Sequence, residues 1–350
     1  MIFIIFFYFN RKKLISELEM IFMRKLKIII FIQAILIVAI LAASISMYTV
    51  KDKKGAGYNY SLVSQRLFKG VIKPKSLLIV NYAPLRNKLE SYTHRNNLTA
   101  SVYVENLRTG AYMGINERYG YLPASLNKVP IAILVMKKIE DGELTLNTVV
   151  DVDKSLNDTN IRESKLQIRA LMEKMLKESD NAAFKTLQNY TDDDDNILVL
   201  NYLDYYSDEV VKREGPAENN NGLVTPKSIY NLFSSLYLST ILEPQDSNYI
   251  LSLMTDTVFD IKKIAKLPAN VTVSQKFAII DKDNKQYFHD CGIIYAGEMR
   301  IFYCIMTKDL DEKAAINTIG SIVNNIYYYS INTRETLDYY QDLTSMKDSH

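Results

Sequence analysis

The chain has 350 residues, 48% of them hydrophobic, and is close to neutral, with 42 Lys and Arg against 40 Asp and Glu. This composition is typical of globular proteins and excludes wholesale disorder or a fibrous repeat, while the charge balance argues against nucleic acid as a partner. Three His and two Cys provide too few ligands for a Cys/His zinc cluster, so we expect neither a metal nor a cofactor.

An apolar segment near the N-terminus predicts one membrane span. Residues 28–50 contain no charged residue, and at about 1.5 Å per residue a helix of that length crosses the bilayer core. Basic residues are more numerous before the segment than after it, which favours residues 1–27 in the cytoplasm and the bulk of the chain outside it, held at the cell membrane. A cleaved signal peptide is the alternative, because small residues at 44 and 46 resemble a cleavage site.

The rest of the chain divides by composition. Residues 51–75 are charged and show no sustained period, which predicts a linker. We expect the folded domain at residues 76–331 and a C-terminal tail at 332–350. Within the domain, Pro84 to Arg95 predicts a short helix, and residues 101–104 and 112–115 predict a hairpin around a turn at 108–110.

The remaining elements predict an α+β fold. Apolar residues recur at helical spacing in two stretches, a central one and a closing one: Ile168, Leu171, Met172, Met175 and Leu176, then Ile316, Ile319, Val323 and Ile326. Residues 271–273, 288–295 and 300–306 are typical of strands. Strands, a helical middle, further strands and a last helix indicate an antiparallel sheet flanked by helices, built from both chain ends, with an inserted all-helical subdomain.

Ser125 and Lys128 form the first candidate site. They lie three residues apart at the start of an almost wholly apolar run that ends at Met136, so they share one face of a buried helix. Burial disfavours the charged form of Lys128, and a neutral lysine can take the serine proton. A Ser-x-x-Lys spacing also occurs by chance, so this pair needs support from other residues.

Two later segments add polar groups. Ser179 and Asn181 stand at the end of the central helix, where Ser179 could pass a proton and Asn181 could orient a substrate; a simple helix cap is the structural alternative. Lys276 lies within an otherwise apolar strand, where an exposed edge lysine is the alternative interpretation.

Ser-x-x-Lys, Ser-Asp-Asn and a strand lysine, in this order, are the signature of the penicillin-recognising serine enzymes. Residues 84–330 resemble the catalytic domain of class A β-lactamases, the fold shared with penicillin-binding D-Ala-D-Ala peptidases. The resemblance extends to residues 123–130, 179–183, 223–227 and 288–295.

The resemblance implies a role for each matching residue. Ser125 is the acylated nucleophile and Lys128 its base, Ser179 relays protons and Asn181 binds substrate. Lys276 attracts the substrate carboxylate. The backbone N–H groups of Ser125 and Ile279 form the oxyanion hole.

The sequence departs from the family at two points. The family's third motif is Lys-Thr/Ser-Gly, whereas Phe277 and Ala278 follow Lys276, which removes a hydroxyl that bonds the substrate carboxylate. The family also places a deacylating glutamate on a loop after Ser-Asp-Asn. Here Glu214 is the best candidate, without the family's surrounding residues; Glu209 and Glu218 are weaker candidates, and a solvated loop is the alternative for all three.

We therefore expect a membrane-anchored serine hydrolase that forms an acyl ester on Ser125 and hydrolyses the amide bond of β-lactams. One alternative is a D-Ala-D-Ala carboxypeptidase acting on peptidoglycan stem peptides, which would deacylate slowly after reaction with a β-lactam. The other is a non-catalytic relative that binds the cell wall. The expected partners are a β-lactam or D-Ala-D-Ala peptide and the membrane; the sequence does not define an oligomeric state.

Two further expectations concern single residues. A two-residue turn at 297–298 pairs Ala296 with Met299, and counting outward places Cys291 opposite Cys304. We expect facing, buried free thiols rather than a disulfide. His289 is expected to be a packed strand residue rather than a catalytic base.

Overall fold

The computed structural model describes residues 33, 60–64, 81–96, 98–155, 159–191, 199–205, 222–282 and 285–347, the side chains of 282, 285 and 334–347 excepted. The chain divides into two units, residues 1–59 and 60–350. Only residue 33 of the first unit lies within the described ranges, so the account below concerns the second.

A five-stranded antiparallel sheet forms the centre of the second unit. Its strands are β1 (Ala100–Asn106), β2 (Tyr112–Ile115), β5 (Thr272–Lys282), β6 (Lys285–Ala296) and β7 (Met299–Lys308), in the spatial order β2-β1-β7-β6-β5. The first two strands precede the helical region and the last three follow it, so the sheet joins both ends of the domain. Strand β5 is an edge strand, and this edge borders the site described below.

Helices cover both faces of the sheet. One face packs against α1 (Ala83–Arg95), α7 (Ile261–Ile264) and α8 (Glu312–Lys347). The other packs against the helical region, comprising α2 (Lys128–Glu140), α3 (Ile168–Glu173), α4 (Asn181–Gln188), α5 (Pro226–Leu238), α6 (Pro244–Leu253) and the small sheet of β3 (Val149–Asp151) and β4 (Lys165–Gln167). Alternate strand residues therefore enter two separate cores, as the period of two requires.

The predicted helices and strands are present. The hairpin pairs Val102 with Ile115, and β6 pairs with β7 so that Ala296 faces Met299. The α+β prediction with an antiparallel sheet flanked by helices is confirmed. The inserted region is not all-helical as predicted, because β3 and β4 form a small two-stranded sheet within it.

The cysteine prediction was right in register and wrong in chemistry. Cys291 and Cys304 are paired across β6 and β7, with their Cα atoms 4.0 Å apart, but they form a disulfide rather than two free thiols. Both are fully buried. The register places the two side chains directly opposite each other on the same face of the sheet.

The predicted span, linker and tail each overlap the described residues only in part. Leu62 and Val63, inside the predicted linker, are buried, and the Leu62 N–H donates to Asn248 Oδ1 at 3.1 Å, because these apolar side chains complete the helical core. The closing helix continues through the predicted tail to residue 347. The predicted span at 28–50 lies outside the described residues apart from Gln33, and no helix within the described ranges is long and apolar enough to cross a membrane.

Candidate active site

Ser125 lies in a tight turn that leads into the most buried helix of the domain. A 3₁₀ turn, Ala124–Asn127, precedes α2, whose first nine residues from Lys128 onward are buried. Ala124 has a φ of 48°, in the left-handed region that costs an L-residue about 1–2 kcal/mol. Such strain persists only where the surrounding structure fixes the backbone. Ala124 is the residue directly before Ser125, so the backbone that leads to the serine is fixed here.

Two contacts fix the chain ahead of this turn. Tyr121 and Val224 exchange backbone hydrogen bonds of 2.8 and 2.9 Å. The Nε2 atom of His289 lies 3.0 Å from the carbonyl oxygen of Leu122. His289 is fully buried in β6, and burial lowers its pKa to about 4, so the ring is neutral at pH 7. The prediction of a packed strand histidine is confirmed: its contact holds the turn that carries Ser125.

Ser179 is held in a left-handed conformation by the elements on either side. A π-helical turn, Lys174–Glu178, extends α3 and ends at Ser179, whose φ and ψ are 61° and 29°. Asp180 then caps α4, its side chain accepting from the Ala183 N–H at 2.8 Å. The second carboxylate oxygen accepts from the Thr159 hydroxyl at 2.8 Å. The helix cap considered as an alternative at Ser179-Asp-Asn is therefore present, and Asp180 is the residue that forms it.

The four polar side chains proposed from the sequence meet at one nitrogen atom. Lys128 Nζ lies 3.1 Å from Ser125 Oγ, 3.0 Å from Ser179 Oγ and 2.8 Å from Asn181 Oδ1. It also donates to the carbonyl oxygen of Ser179 at 2.5 Å. Lys128 is only 2% exposed, so these oxygens replace the water that a surface lysine would bind.

The arrangement suits a lysine that exchanges a proton with serine. The described contacts place four acceptors around a nitrogen that carries three N–H groups when charged and two when neutral. The backbone carbonyl oxygen of Ser179 and the side-chain Oδ1 of Asn181 can only accept hydrogen bonds, so they accept from the amine whether Lys128 is charged or neutral. The hydroxyls of Ser125 and Ser179 can instead donate to the lone pair of a neutral amine, which makes either serine a possible proton donor to Lys128.

Lys276 lies nearby but in different surroundings. Strand β5 packs against the turn that carries Ser125, and Lys276 is fully buried. Its Nζ lies 3.2 Å from the carbonyl oxygen of Phe277 and 4.4 Å from the centre of the Phe277 ring. Burial lowers the pKa of Lys276 well below the ordinary 10.5, Lys128 lowers it further and Asp290 opposes both. The exposed edge lysine considered from the sequence is therefore wrong.

The two remaining predicted site residues are Ile279 and Glu214. Ile279 lies further along β5, with its side chain 41% exposed. Glu214, like Glu209 and Glu218, lies outside the described residues. Within the part of the chain that the structure describes, no group of three or more His, Cys, Asp or Glu residues is arranged to hold a metal ion.

Comparison with known proteins identifies relatives of this fold. Residues 84–330 match the model of the beta-lactamase enzyme family. Comparison with curated proteins finds no significant match. Among solved structures, a beta-lactamase from Chitinophaga pinensis is 20% identical with a TM-score of 0.62, over 71% of this chain and 99% of its own.

Two further structures show the same likeness. A beta-lactamase from Xanthomonas campestris is 18% identical, with a TM-score of 0.60 over 69% of this chain and 96% of its own. The TLA-1 extended-spectrum beta-lactamase is also 18% identical, with a TM-score of 0.60 over 71% of this chain and 98% of its own. At these identities the structures establish the fold. The family model covers residues 84–330. The chain belongs to the beta-lactamase enzyme family.

Proposed function

We propose that this protein is a serine acyl-transfer enzyme that opens β-lactams and forms an acyl ester on Ser125. The observation that carries the proposal is the convergence of Ser125, Ser179 and Asn181 on Lys128 Nζ, at distances from 2.8 to 3.1 Å. Lys128 is the only one of these groups that can serve as a base, and it is buried beside the serine it would activate.

We propose an acylation step that accounts for every proton and that the contacts around Lys128 support. Lys128 takes the Ser125 proton as Oγ attacks the carbonyl carbon, and the carbonyl oxygen becomes an oxyanion. We assign its stabilisation to the backbone N–H groups of Ser125 and Ile279. When the C–N bond breaks, Ser179 gives its proton to the leaving nitrogen and receives one from Lys128. Asn181 holds both the amine and the substrate.

Deacylation separates the two catalytic alternatives. A water molecule must attack the ester carbon and release Ser125 with its proton restored, and this step needs a second base. We propose slow deacylation, because Glu214 lacks the surrounding residues of the family's deacylating glutamate. A D-Ala-D-Ala peptidase would show the same slow release of a β-lactam adduct, whereas an efficient β-lactamase would release it quickly.

Mass spectrometry of the intact protein tests the proposal. Incubation with a fluorescent penicillin and with a cephalosporin should give a covalent adduct that peptide mapping assigns to Ser125, and Ser125→Ala should give none. The decay rate of the adduct then distinguishes a β-lactamase from a peptidase. A folded protein that forms no adduct with several β-lactam classes would instead support a non-catalytic wall-binding relative.

We also propose that the domain lies outside the cytoplasm, anchored by residues 28–50. The charge-free segment supports a membrane span. The buried Cys291–Cys304 disulfide supports an oxidising compartment, where such bonds persist. Protease added to intact cells should degrade the domain if this location is right, and a protected domain would contradict it.

A further inference from the structure

The distance between Ser125 and Lys128 depends on the type of helical turn that joins them. Ala124–Asn127 is a 3₁₀ turn, and Asn127 has φ and ψ of −60° and −14°. This ψ is nearer the 3₁₀ range than the value of about −42° in an α-helix. A 3₁₀ helix has about three residues per turn, so side chains at positions i and i+3 are aligned. The alignment brings Ser125 and Lys128 together, with Oγ and Nζ 3.1 Å apart.

A tyrosine from a distant segment bonds the last residue of this turn. The hydroxyl of Tyr205 donates to Asn127 Oδ1 at 3.0 Å, across 78 positions of sequence. Asn127 lies between Ser125 and Lys128, so a contact that fixes Asn127 acts within the Ser-x-x-Lys spacing. The hydrogen bonds of a 3₁₀ turn have poorer geometry than those of an α-helix, and a contact from outside the turn therefore contributes more to its shape.

Local structure directs the Tyr205 side chain inward. Residues 199–202 form a helical turn, and Asp204 follows with a φ of 48°, in the left-handed region that reverses a chain at the end of a helix. The Tyr205 N–H donates to the carbonyl oxygen of Leu200 at 3.0 Å. Tyr205 is fully buried in the helical core. A buried tyrosine hydroxyl needs a hydrogen-bond partner, and Asn127 provides one.

The place of this bond in the turn distinguishes it from the contacts described above. Val224 and His289 hold the chain ahead of the turn. The Tyr205 bond acts after Ser125, on the part of the chain that sets the direction of Lys128. Its loss would therefore change the geometry between the serine and its base rather than the attachment of the chain ahead of them.

We propose that Tyr205 is a positioning residue for acylation: its bond to Asn127 keeps residues 124–127 in a 3₁₀ turn and so keeps Ser125 Oγ within hydrogen-bond distance of Lys128 Nζ. The inference rests on the proposed function, because it concerns proton transfer within the same pair. Tyr205 exchanges no proton and contacts no substrate in this role. Its removal should therefore slow acylation and leave substrate affinity unchanged.

Rapid-quench mass spectrometry tests the proposal on the full-length protein. Adduct formation over a range of benzylpenicillin concentrations separates the acylation rate constant from the apparent dissociation constant. Tyr205→Phe removes one hydroxyl and keeps the ring, so the rate constant should fall about three- to tenfold, which corresponds to one lost hydrogen bond. The dissociation constant should not change.

Tyr295→Phe is the matched control. Tyr295 is also buried, and its hydroxyl donates to the carbonyl oxygen of Leu62 at 2.8 Å. This variant loses a hydrogen bond of the same kind in a different part of the domain. It should lose a similar amount of stability in urea denaturation and keep the wild-type acylation rate.

A double-mutant cycle tests whether Tyr205 acts through Asn127. Asn127→Leu keeps the size of the side chain and removes the acceptor, so its acylation rate should fall by a similar factor. The double variant should be no slower than either single variant if the two residues act through one bond. Asn127→Leu also keeps the test decisive if Tyr205→Phe is poorly folded, because Asn127 is only half-buried.

Failure of this inference is distinguishable from failure of the proposed function. A wild-type rate in Tyr205→Phe, additive losses in the double variant or an equal loss in Tyr295→Phe would overturn the inference and leave the acyl-enzyme intact. A change in the dissociation constant in place of the rate constant would do the same. Absence of an adduct in the folded wild type would overturn the proposed function and this inference with it.

Discussion

Two buried lysines lie near the turn that carries Ser125, in opposite surroundings. Lys128 is surrounded by oxygen atoms of Ser125, Ser179 and Asn181, which bind it in either protonation state. Lys276 has one carbonyl oxygen and the ring of Phe277. The difference shows that burial alone does not make a lysine catalytic, because a base also needs a hydroxyl within reach and acceptors that remain bonded after the proton moves.

The largest expected effect is a difference in the rate of Ser125 acylation between variants of the two lysines. Lys128→Met should slow acylation of Ser125 by about 10²–10⁴-fold, the usual contribution of a general base. Lys276→Met, of the same size and burial, should slow it by less than about tenfold, because no serine hydroxyl is bonded to Lys276. Single-turnover mass spectrometry with a penicillin measures both rates. Equal losses would remove the distinction between the two residues.

The next effect concerns the carboxylate whose charge acts on Lys276. Asp290 is fully buried and accepts from the Tyr303 hydroxyl at 2.7 Å. Burial raises the pKa of Asp290 from 3.8 to about 7, so its contribution to stability is complete below pH 3.8 and is lost as the pH rises through 7. This loss amounts to about 4 kcal/mol. The difference in free energy of unfolding between Asp290→Asn and the wild type should therefore grow from pH 5 to pH 8.

Urea denaturation at the two pH values measures this difference. His289 changes stability in the opposite direction, since its pKa is lowered from 6.5 to about 4 and its contribution is lost as the pH falls through that range. Both proteins contain His289, so its contribution cancels in the comparison. A constant difference between the two proteins would show that Asp290 keeps an ordinary pKa.

A smaller change tests the oxygen atoms around Lys128. Asn181→Asp replaces an amide oxygen 2.8 Å from Lys128 Nζ with a carboxylate, and the nearby negative charge should raise the pKa of the lysine because it favours the charged amine. Acylation at pH 7 should fall by about ten- to hundredfold and recover at higher pH. Asn181→Leu, the uncharged control, should lower the rate without moving its pH profile to higher values, and a similar profile in both variants would contradict the assignment.

The smallest effect concerns the strained serine. Ser179→Gly removes the cost of the left-handed conformation and should stabilise the protein by up to about 1 kcal/mol, while acylation slows because the relay hydroxyl is lost. Ser179→Ala loses the same hydroxyl but keeps the strain. Thermal unfolding and adduct formation, measured together on both variants, separate the two contributions. Equal stability of the two variants would show that the backbone at residue 179 stores no strain.

The sequence by itself determined the order of elements and the motifs of the site. Helical and strand periods depend on local spacing, which is why the helices around residues 84–95, 168–176 and 316–327 and the register of β6 on β7 were predictable. The Ser125 and Lys128 pair was also predictable, because positions three apart share a helix face.

Only the tertiary structure decided what surrounds each lysine and whether the cysteines join. Ser179 and Asn181 reach Lys128 across more than fifty positions of sequence, through the left-handed turn after a π-helical segment. The ring over Lys276 belongs to Phe277 and is packed by Phe259 from a distant loop, and the bond between Cys291 and Cys304 depends on a separation that the strand register alone does not fix. Contacts between distant segments depend on packing, and packing is not encoded in any local period.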